Sequence, residues 1–192
     1  MKKGIVFLGS FGIGGISRVA ISILPELLNN FNIKVIQFHK GKYETKLNKP
    51  KNIEIIYLLK NDNFRFYRID LLILSLYRYY TYTIKEKPDF VLSMGQIQNF
   101  FNVLFKNKYV SITSQHNIWS KDAKLKYSRW RRYILKKINK FFLSKSALII
   151  SISEGVKSDL IDTFCIDSDK IKVIYNPTDV KNIIKLSKDG MQ

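Results

Sequence analysis

The sequence has a single cysteine, few acidic residues and no long apolar run. With Cys165 alone, neither an intramolecular disulfide nor a multi-cysteine metal site can form, which favours a reducing compartment. The apolar stretch Leu71–Tyr77 lies between Asp70 and Arg78 and is far shorter than the roughly 20 residues of a membrane-spanning helix. The first apolar run, Ile5–Leu8, is too short for the core of a secretory signal. We therefore expect neither a signal peptide nor a membrane-spanning helix.

The scarcity of acidic residues leaves a strongly basic chain. Lysine and arginine together number 33, against 15 aspartates and glutamates, which gives a formal net charge of +18. Such an excess favours polyanionic partners, namely nucleic acid, anionic lipid headgroups or phosphorylated substrates. Lysine, isoleucine, asparagine, tyrosine and phenylalanine all have A/T-rich codons and are all abundant, so genome composition is an alternative source of much of this charge. The positions of the basic residues are therefore more informative than their number.

Short apolar runs alternate with helical periodicity along the chain. The 192 residues suit one domain, and 46% hydrophobic with 25% charged residues is a globular composition. Helices are predicted near residues 16–30, 65–86, 97–106, 121–145 and 154–164. Strands are predicted at Ile5–Leu8, Lys34–Phe38, Ile53–Tyr57, Phe90–Ser93, Tyr109–Thr113, Leu148–Ile152 and Lys172–Ile174. This alternation predicts an α/β fold, Rossmann-like and doubly wound, with a mostly parallel sheet.

The pattern changes near the end of the chain. Asn176-Pro177-Thr178-Asp179 is a turn signal that ends the last predicted strand. Residues 180–186 then begin a helical pattern that stops after about two turns, which is marginal for a helix in isolation. We therefore assign residues 1–179 to the Rossmann-like domain and expect residues 180–192 to begin a linker or a further domain.

A glycine-rich turn, residues 9–15, follows the first predicted strand and precedes a helix. Glycines at such a turn let the backbone approach a phosphate, and the helix N-terminus supplies N–H groups and positive potential. The dinucleotide fingerprint G-x-G-x-x-G is not met, because Ser17 stands where its third glycine would be. The alternative is a turn whose glycines only allow tight packing of the helix against the sheet.

Two polar segments follow later strands. His116 comes just after the fifth predicted strand, at the edge where ligands bind in open α/β sheets, and a histidine there can hydrogen-bond a sugar hydroxyl or orient a phosphate. A surface histidine without function is the alternative. After the sixth strand, Ser153 is well suited to cap a helix that begins at Glu154, and capping explains both residues without any further role.

The predicted helix over residues 121–145 is rich in basic residues and nearly free of acidic ones. At 100° per residue, one face carries an apolar set that is expected to pack on the domain: Tyr127, Trp130, Ile134, Ile138 and Phe141. The opposite face carries Arg129, Arg132, Lys136 and Lys140, which would meet solvent or an anionic partner. A merely solvated basic face is the alternative.

Taken together and in this order, these segments resemble the N-terminal domain of glycosyltransferase family 4, which has the GT-B architecture. The resemblance spans residues 3 to about 180. It is carried by Gly14-Gly15-x-x-Arg18-Val19, by Lys87-Pro88-Asp89-Phe90-Val91, by His116-Asn117, by the segment Ala147–Leu160 and by the segment Asp169–Asp179.

The resemblance implies a retaining transferase that uses a nucleotide-diphosphate sugar as co-substrate, with no other cofactor and no obligatory metal. The donor would lie between two Rossmann-like domains, with Gly14, Gly15 and Arg18 approaching its diphosphate and sugar. His116 would contact the transferred sugar and act in catalysis. The basic helix would meet the membrane or the phosphates of the acceptor. Because the family's nucleotide-holding C-terminal domain has no counterpart in these 192 residues, the chain is expected to be incomplete alone, as a fragment, a truncated product or one subunit of a split enzyme.

The function expected from the resemblance is the acceptor-side domain of a hexosyltransferase-like enzyme that builds a lipid-linked or cell-surface glycan of the cell envelope. Its partners would be the nucleotide sugar, the lipid-linked or glycan acceptor and an anionic membrane surface, and its place the cytoplasmic, inner face of the cell membrane. The alternative is a non-catalytic basic module that associates with an anionic membrane surface or a partner subunit. Nucleic-acid binding is disfavoured, because no RNP, KH or helix-turn-helix signature is present.

Overall fold

The computed structural model describes residues 1–12, 14–41, 44, 50, 52–59 and 69–178, and within them strands alternate with helices. The strands are β1 (Lys3–Leu8), β2 (Asn32–Gln37), β3 (Glu54–Tyr57), β4 (Phe90–Met94), β5 (Val110–Gln115), β6 (Leu148–Ser151) and β7 (Ile171–Val173). The helices are α1 (Gly15–Asn30), α2 (Ile69–Glu86), α3 (Gln96–Leu104), α4 (Trp119–Lys126), α5 (Arg129–Leu143) and α6 (Glu154–Phe164). The first residues of the predicted helix 65–86 and the predicted segment 180–192 lie outside the described residues.

The seven strands form one sheet in the order β3-β2-β1-β4-β5-β6-β7, and every neighbouring pair is parallel. All seven predicted strands are present. The order reverses at β1, which pairs with β2 on one side and with β4 on the other. The predicted Rossmann-like, doubly wound α/β fold is therefore confirmed, and its topological switch point lies between β1 and β4.

The continuous apolar run of β1 is explained by helices on both faces of the sheet. Ile5 and Phe7 point into a core that is completed by α2 and α3. Val6 and Leu8 point to the other face, where α1 covers them. All four side chains are essentially inaccessible to solvent. A parallel strand buried on both faces has no polar side to alternate with, which is why its sequence shows no period of two.

A buried polar network under α3 ties this helix to the ends of two strands. The side-chain amide of Asn99 donates to the backbone carbonyl of Ser114 in β5 at 3.0 Å, and its oxygen accepts from the hydroxyl of Ser93 in β4 at 2.7 Å. Asn102 donates from one amide nitrogen to the carbonyl of Val91 at 3.0 Å. Buried hydrogen bonds of this kind are costly to leave unmade, so they fix α3 relative to the carboxyl ends of β4 and β5.

The prediction of a single helix over residues 121–145 is wrong, because the structure has two helices there, α4 and α5. Tyr127 and Ser128 between them adopt extended backbone conformations. Ser128 stands at the N-cap position of α5, and its carbonyl accepts from the N–H of Arg132 at 3.0 Å. Serine is favoured at that position. The unbroken helical periodicity of the sequence conceals this boundary between the two helices.

The prediction of which face of α5 packs against the domain is also wrong. The helix packs through Leu135, Asn139, Phe142 and Leu143, and the ring of Phe142 lies 4.1 Å from that of Phe100 in α3. The predicted apolar set Tyr127, Trp130, Ile134, Ile138 and Phe141 instead lies exposed on the outside. Within the part of the chain that the structure describes, no helix combines the length and apolarity needed to cross a bilayer.

The predicted cap of α6 is confirmed and gives a stability prediction. The hydroxyl of Ser153 accepts a hydrogen bond from the N–H of Val156 at 3.2 Å. Replacing Ser153 by alanine leaves that N–H without its partner, so we expect the free energy of unfolding to fall by about 1 kcal/mol. Urea denaturation monitored by circular dichroism measures the change. The matched control is Ser158→Ala on the exposed side of α6, where stability should stay the same or rise slightly, since alanine is the better helix former. Equal losses in the two variants would contradict the capping role.

Candidate functional site

The candidate site lies at the carboxyl edge of the sheet, around the switch point. β1, β4 and β5 are adjacent in the sheet, so the segments that follow Leu8, Met94 and Gln115 emerge side by side. In open parallel sheets, the crevice at this edge is where ligands bind. Both of the predicted functional segments, the glycine-rich turn and the segment of His116, lie at this edge.

The glycine-rich turn after β1 is held by Ser17. Its hydroxyl accepts a hydrogen bond from the N–H of Gly12 at 3.0 Å and donates to the carbonyl of Ser10 at 3.3 Å. The residue that breaks the dinucleotide fingerprint thus shapes the loop from inside the first turn of α1. Only the serine in place of the third glycine of the fingerprint marks this position in the sequence, and it does not indicate the role.

Gly14 and Gly15 lie at the exposed N-terminus of α1. A Cβ atom added at either position would meet nothing within 4 Å outside its chain neighbours. The packing alternative for these two glycines is therefore not supported, because there is open space where a packed helix or sheet would be. Arg18, one turn further, is exposed on the same helix. The turn can approach an anionic group with backbone N–H groups and a guanidinium nearby.

His116 follows the last residue of β5 and is half-buried. Its Nε2 lies 3.0 Å from the hydroxyl of Ser114, whose backbone carbonyl is in turn held by Asn99. Burial lowers the pKa of the His116 imidazole below its usual value of 6.5. The ring is therefore neutral at neutral pH. A neutral imidazole has one donor and one acceptor nitrogen, which suits it to hydrogen-bond a hydroxyl group.

The lowered pKa also links His116 to stability. In the unfolded chain the imidazole takes up a proton near pH 6.5, whereas in the folded chain it resists protonation until a lower pH. Below pH 6.5 the unfolded state thus binds more protons, and the stability of the fold decreases as the pH falls through this window. Above pH 6.5, the lowered pKa of His116 does not reduce the stability of the fold.

A cleft of about 120 Å³ opens beside His116. Its floor is the end of β5, and its walls come from the first turn of α1, the start of α3 and one side of α4. The polar wall includes His116, Gln96, Gln115, Asn117 and Asp122, while Trp119 and Tyr127 supply aromatic surface. The cleft therefore offers hydrogen-bonding groups and aromatic edges together.

Asp122 is anchored at this wall through one of its oxygens. Its Oδ2 accepts from the side-chain amide of Asn117 at 3.0 Å and lies 3.6 Å from the ammonium of Lys126. The sequence analysis did not single out Asp122, Gln96 or Gln115. Gln96 comes one residue after the turn that ends β4, so the post-strand rule that identified His116 also applies there. Asp122 could be recognised as a residue of the site only once the break between α4 and α5 was known.

The predicted membrane or acceptor residues lie on α5, apart from the glycine-rich turn and next to the mouth of the cleft. Arg129, Lys136 and Lys140 are exposed, and Arg132 is half-buried toward the packed side. Lys126 and Tyr127, which line the cleft, directly precede this helix. The structure thus places the catalytic and donor residues predicted from sequence at one edge of the sheet and the basic helix beside it.

The outer surface of α5 is both aromatic and basic. Trp130 is 61% exposed, Tyr133 60% and Phe141 53%, which is unusual for large apolar side chains. Cations accompany the rings: the ammonium of Lys137 lies 4.4 Å from the ring centre of Tyr133, and that of Lys145 lies 3.4 Å from Phe141. No acidic residue occurs within α5.

Comparison with known proteins identifies a family and a relative that this chain resembles. The sequence profile of Glycosyltransferase Family 4 matches residues 13–182. The chain is also 25% identical over 195 aligned positions to the N-acetylgalactosamine-N,N'-diacetylbacillosaminyl-diphospho-undecaprenol 4-alpha-N-acetylgalactosaminyltransferase of Campylobacter jejuni subsp. jejuni. The alignment covers 95% of this chain and 50% of that protein. The chain therefore spans about half the length of this relative.

Solved structures share the fold at low identity. The crystal structure of Anabaena Alr3699/HepE in complex with UDP-glucose has a TM-score of 0.71 and 16% identity, covering 98% of this chain and 50% of that one. The UDP-GlcNAc 2-epimerase of Methanocaldococcus jannaschii has a TM-score of 0.61 and 18% identity, covering 92% of this chain and 46% of that one. Because an epimerase is among these neighbours, the fold alone does not separate transferases from other enzymes of nucleotide sugars.

Proposed function

The chain belongs to glycosyltransferase family 4, and from that premise we propose that it is the acceptor-side domain of a retaining glycosyltransferase that takes its sugar from a nucleotide-diphosphate sugar. One observation carries the proposal. The open glycine turn and the half-buried, neutral His116 lie at the same edge of the sheet, at the switch point where ligands bind. The match to the family profile over residues 13–182 supports the same assignment.

The donor would meet this domain at the N-terminus of α1. The backbone at Gly14 and Gly15 borders open space, and the helix dipole and the exposed Arg18 favour the negative charge of a diphosphate. In this proposal no metal neutralises the diphosphate and the nucleotide sugar is the only co-substrate. The nucleotide itself would be held by a second domain facing this edge.

His116 would contact the transferred sugar. Its imidazole is oriented by the hydroxyl of Ser114, which engages Nε2 at 3.0 Å. With Nε2 so engaged, Nδ1 remains to hydrogen-bond a hydroxyl group of the sugar. Burial keeps the ring neutral, so it would position the sugar as its bond to the diphosphate breaks and would add no positive charge.

The acceptor is proposed to be lipid-linked, and α5 is proposed to dock on the membrane that carries it. The relative in Campylobacter is named for a diphospho-undecaprenol acceptor, and its alignment covers 95% of this chain. The exposed aromatic and basic side chains of α5 suit a helix that lies in the interface of an anionic bilayer. A domain that acts on such an acceptor would be peripheral on the inner, cytoplasmic face of the membrane, in the synthesis of a cell-envelope glycan.

The test of this function is sugar transfer by a complete enzyme. We would fuse the chain to the half of the Campylobacter relative that it does not match and supply a panel of nucleotide sugars with polyprenyl diphosphate acceptors. Transfer is expected for the wild-type fusion. His116→Ala should lower kcat on the order of a hundredfold, because the group that positions the sugar is lost, while the melting temperature barely changes.

Two controls separate chemistry from folding. His39→Ala removes the other histidine of the chain, which is half-buried after β2, and should leave kcat unchanged. Absence of transfer by the wild-type fusion with every donor would count against the proposed function. A large loss of stability in His116→Ala, with unchanged activity per folded molecule, would make His116 a structural residue.

A further inference from the structure

A glutamate lies buried at the carboxyl edge of the sheet, beside the ends of β2 and β3. Glu44 is almost inaccessible to solvent, although a carboxylate is costly to remove from water. Both of its oxygens accept hydrogen bonds, Oε1 from the phenol of Tyr57 at 2.7 Å and Oε2 from the N–H of Gly41 at 3.1 Å. None of these three residues lines the cleft beside His116. A buried group of this kind is explained by what it holds in place.

Glu44 holds Gly41, the residue that follows β2 by four positions. The two residues bind each other twice, because the N–H of Glu44 also donates to the carbonyl of Gly41 at 3.0 Å. Tyr57, the last residue of β3, ties the carboxylate to the sheet. Burial, with the bond to Glu44, raises the pKa of the Tyr57 phenol, so the phenol keeps its proton and remains the donor. The position of Gly41 is therefore fixed relative to the ends of β2 and β3.

Gly41 lies directly against the backbone of the glycine-rich turn. A Cβ atom added at Gly41 would overlap the backbone carbonyl of Phe11, so only glycine allows the two segments to approach this closely. The same addition at Gly12, Gly14 or Gly15 would meet nothing within 4 Å. The turn is thus open on the side that would face a ligand, and Gly41 supports it at Phe11.

Phe11 is also held through its N–H group. This N–H donates to the side-chain oxygen of Gln37, the last residue of β2, at 3.2 Å, and both residues are fully buried. The peptide groups on either side of Phe11 therefore contact the segment after β2, one through Gln37 and the other through Gly41. Because Gly12 comes next in the chain, the placement of Phe11 sets where the open part of the turn begins.

We propose that Glu44 is a positioning residue for an anion site at the glycine-rich turn, where it holds Gly41 against Phe11 and so fixes the backbone that meets a diphosphate. This inference deepens the proposed function and rests on it for the identity of the anion, the diphosphate of the donor. Glu44 itself does not touch the donor, because both of its oxygens are occupied and a carboxylate repels phosphate. Its effect on binding is therefore opposite in sign to the effect of its charge.

The opposite signs make the proposal testable on the chain as it is. Amide chemical shifts of the ¹⁵N-labelled protein are followed while inorganic pyrophosphate is added, and shifts are expected at Gly12, Gly14 and Gly15. Glu44→Met keeps the length of the side chain but removes both acceptors, and it should weaken this binding about tenfold. If Glu44 acted through its charge alone, removal of a negative charge would strengthen binding of an anion.

Two further variants separate the hydrogen bonds of Glu44 from its charge. Glu44→Gln should restore most of the binding, because its amide oxygen can accept from Gly41 while its nitrogen donates to the Tyr57 oxygen. The matched control Glu86→Met removes a carboxylate that pairs with Lys34 at 2.8 Å, near the opposite edge of the sheet. It changes the net charge by the same amount and should not weaken pyrophosphate binding.

Gly41→Ala tests the contact with Phe11 while the carboxylate stays in place. The added Cβ should displace the turn and weaken pyrophosphate binding, and Glu44→Met should then cause little further loss, because both changes act through one contact. Gly155→Ala in α6 is its control, since the nearest atoms to a Cβ there are 3.9 Å away. Thermal melting shows which variants fold, and Gly41→Ala decides if Glu44→Met does not.

Three results would overturn the positioning role. The first is that pyrophosphate leaves the amides of the glycine-rich turn unshifted in the wild type. The second is equal binding by Glu44→Met and Glu86→Met, which would make Glu44 a residue of the fold only. The third is a loss in Glu44→Gln as large as in Glu44→Met, because the hydrogen bonds to Gly41 and Tyr57 would then not be what matters.

The fused enzyme distinguishes failure of this inference from failure of the proposed function. If the fusion transfers sugar and Glu44→Met raises the KM for the nucleotide sugar while the KM for the acceptor stays the same, the assignment to the donor diphosphate is supported. If only the KM for the acceptor rises, or neither KM changes, the inference is overturned while the function stands. If the wild-type fusion transfers nothing, the proposed function fails, and the role of Glu44 at an anion site is judged by pyrophosphate binding.

Discussion

No sugar transfer is expected from the 192-residue chain alone when it is mixed with nucleotide sugars and polyprenyl diphosphate acceptors. Among the residues that the structure describes, the site at the carboxyl edge of the sheet would border a nucleotide sugar from one side. Its cleft of about 120 Å³ is well below the roughly 300–1,000 Å³ of pockets that enclose small-molecule ligands. A nucleotide sugar would therefore be held on one side and remain accessible to water on the other. Transfer should go from undetectable with the chain alone to measurable with the fusion, with single-turnover product detection as the readout.

The matched control for this experiment is a mixture. The chain and the separately purified donor-side half of the Campylobacter relative are combined without a covalent link, since two halves of a cleft enzyme can assemble if their interface is strong enough. Activity in the mixture would show that the second wall is what the chain requires. Transfer by the chain alone, at a rate close to that of the fusion, would contradict the half-enzyme proposal.

The fold could be predicted from the sequence because its signals are local and agree with one another. β1 is apolar on both faces, and β1 and β4 are each followed at once by glycine and a helical pattern, as expected for a parallel sheet covered on both sides. All seven strands were predicted within two residues of their bounds. The mostly parallel, doubly wound arrangement also follows, because right-handed crossovers leave few topologies for such an alternation, but the order of the strands came from the structure.

The site was only partly predictable. His116 and the glycine turn were found because they come directly after strands, and the topology brings the ends of β1 and β5 to one edge. Asp122 was missed because it lies within a helix, where an acidic residue in the first turn is already explained by the helix dipole. Its place beside the cleft depends on the break between α4 and α5 and on a contact with Asn117, neither of which periodicity reveals.

The orientation of α5 could not be read from its sequence, for a physical reason. Two different stripes on this helix are apolar enough to pack, one through Trp130, Ile134 and Phe141 and one through Leu135 and Phe142. The packed stripe is selected by partners elsewhere, above all Phe100 in α3, whose ring lies against Phe142. Periodicity indicates that a stripe exists, and only the tertiary contacts determine which one is buried.

The exposed surface of α5 and the neighbouring cleft favour two different kinds of ligand group. The cleft beside His116 is neutral and lined by amides, whereas α5 carries six basic residues and no acidic one. A lipid-linked sugar has the same division, with an uncharged ring, an anionic diphosphate and an apolar chain. This match is the basis for the proposal that α5 docks on the membrane that carries the acceptor.

Neutralising the basic residues of α5 is expected to detach the chain from anionic membranes at low salt. The variant replaces Arg129, Arg132, Lys136 and Lys140 by glutamine. Each exposed basic residue near an anionic surface contributes about 1 kcal/mol, so the loss of the three exposed ones alone would weaken binding on the order of a hundredfold. The effect should be much smaller at physiological ionic strength, where the Debye length falls from about 30 Å at 0.01 M salt to about 8 Å. Co-sedimentation with phosphatidylcholine vesicles, with and without phosphatidylglycerol, measures binding at both salt concentrations.

Two further variants make this experiment decisive. In the matched control, glutamine replaces four lysines that are exposed near the opposite, amino-terminal edge of the sheet, namely Lys85, Lys87, Lys106 and Lys108. These four replacements remove the same amount of charge as the replacements in α5. The control should lose little binding, because these residues do not face the membrane when α5 does. Trp130→Ser with Phe141→Ser should instead weaken binding at both salt concentrations alike, since burial of aromatic surface in the interface is not screened by ions. Equal losses in the two charge variants would mean that overall charge, and not α5, attracts the chain to the membrane.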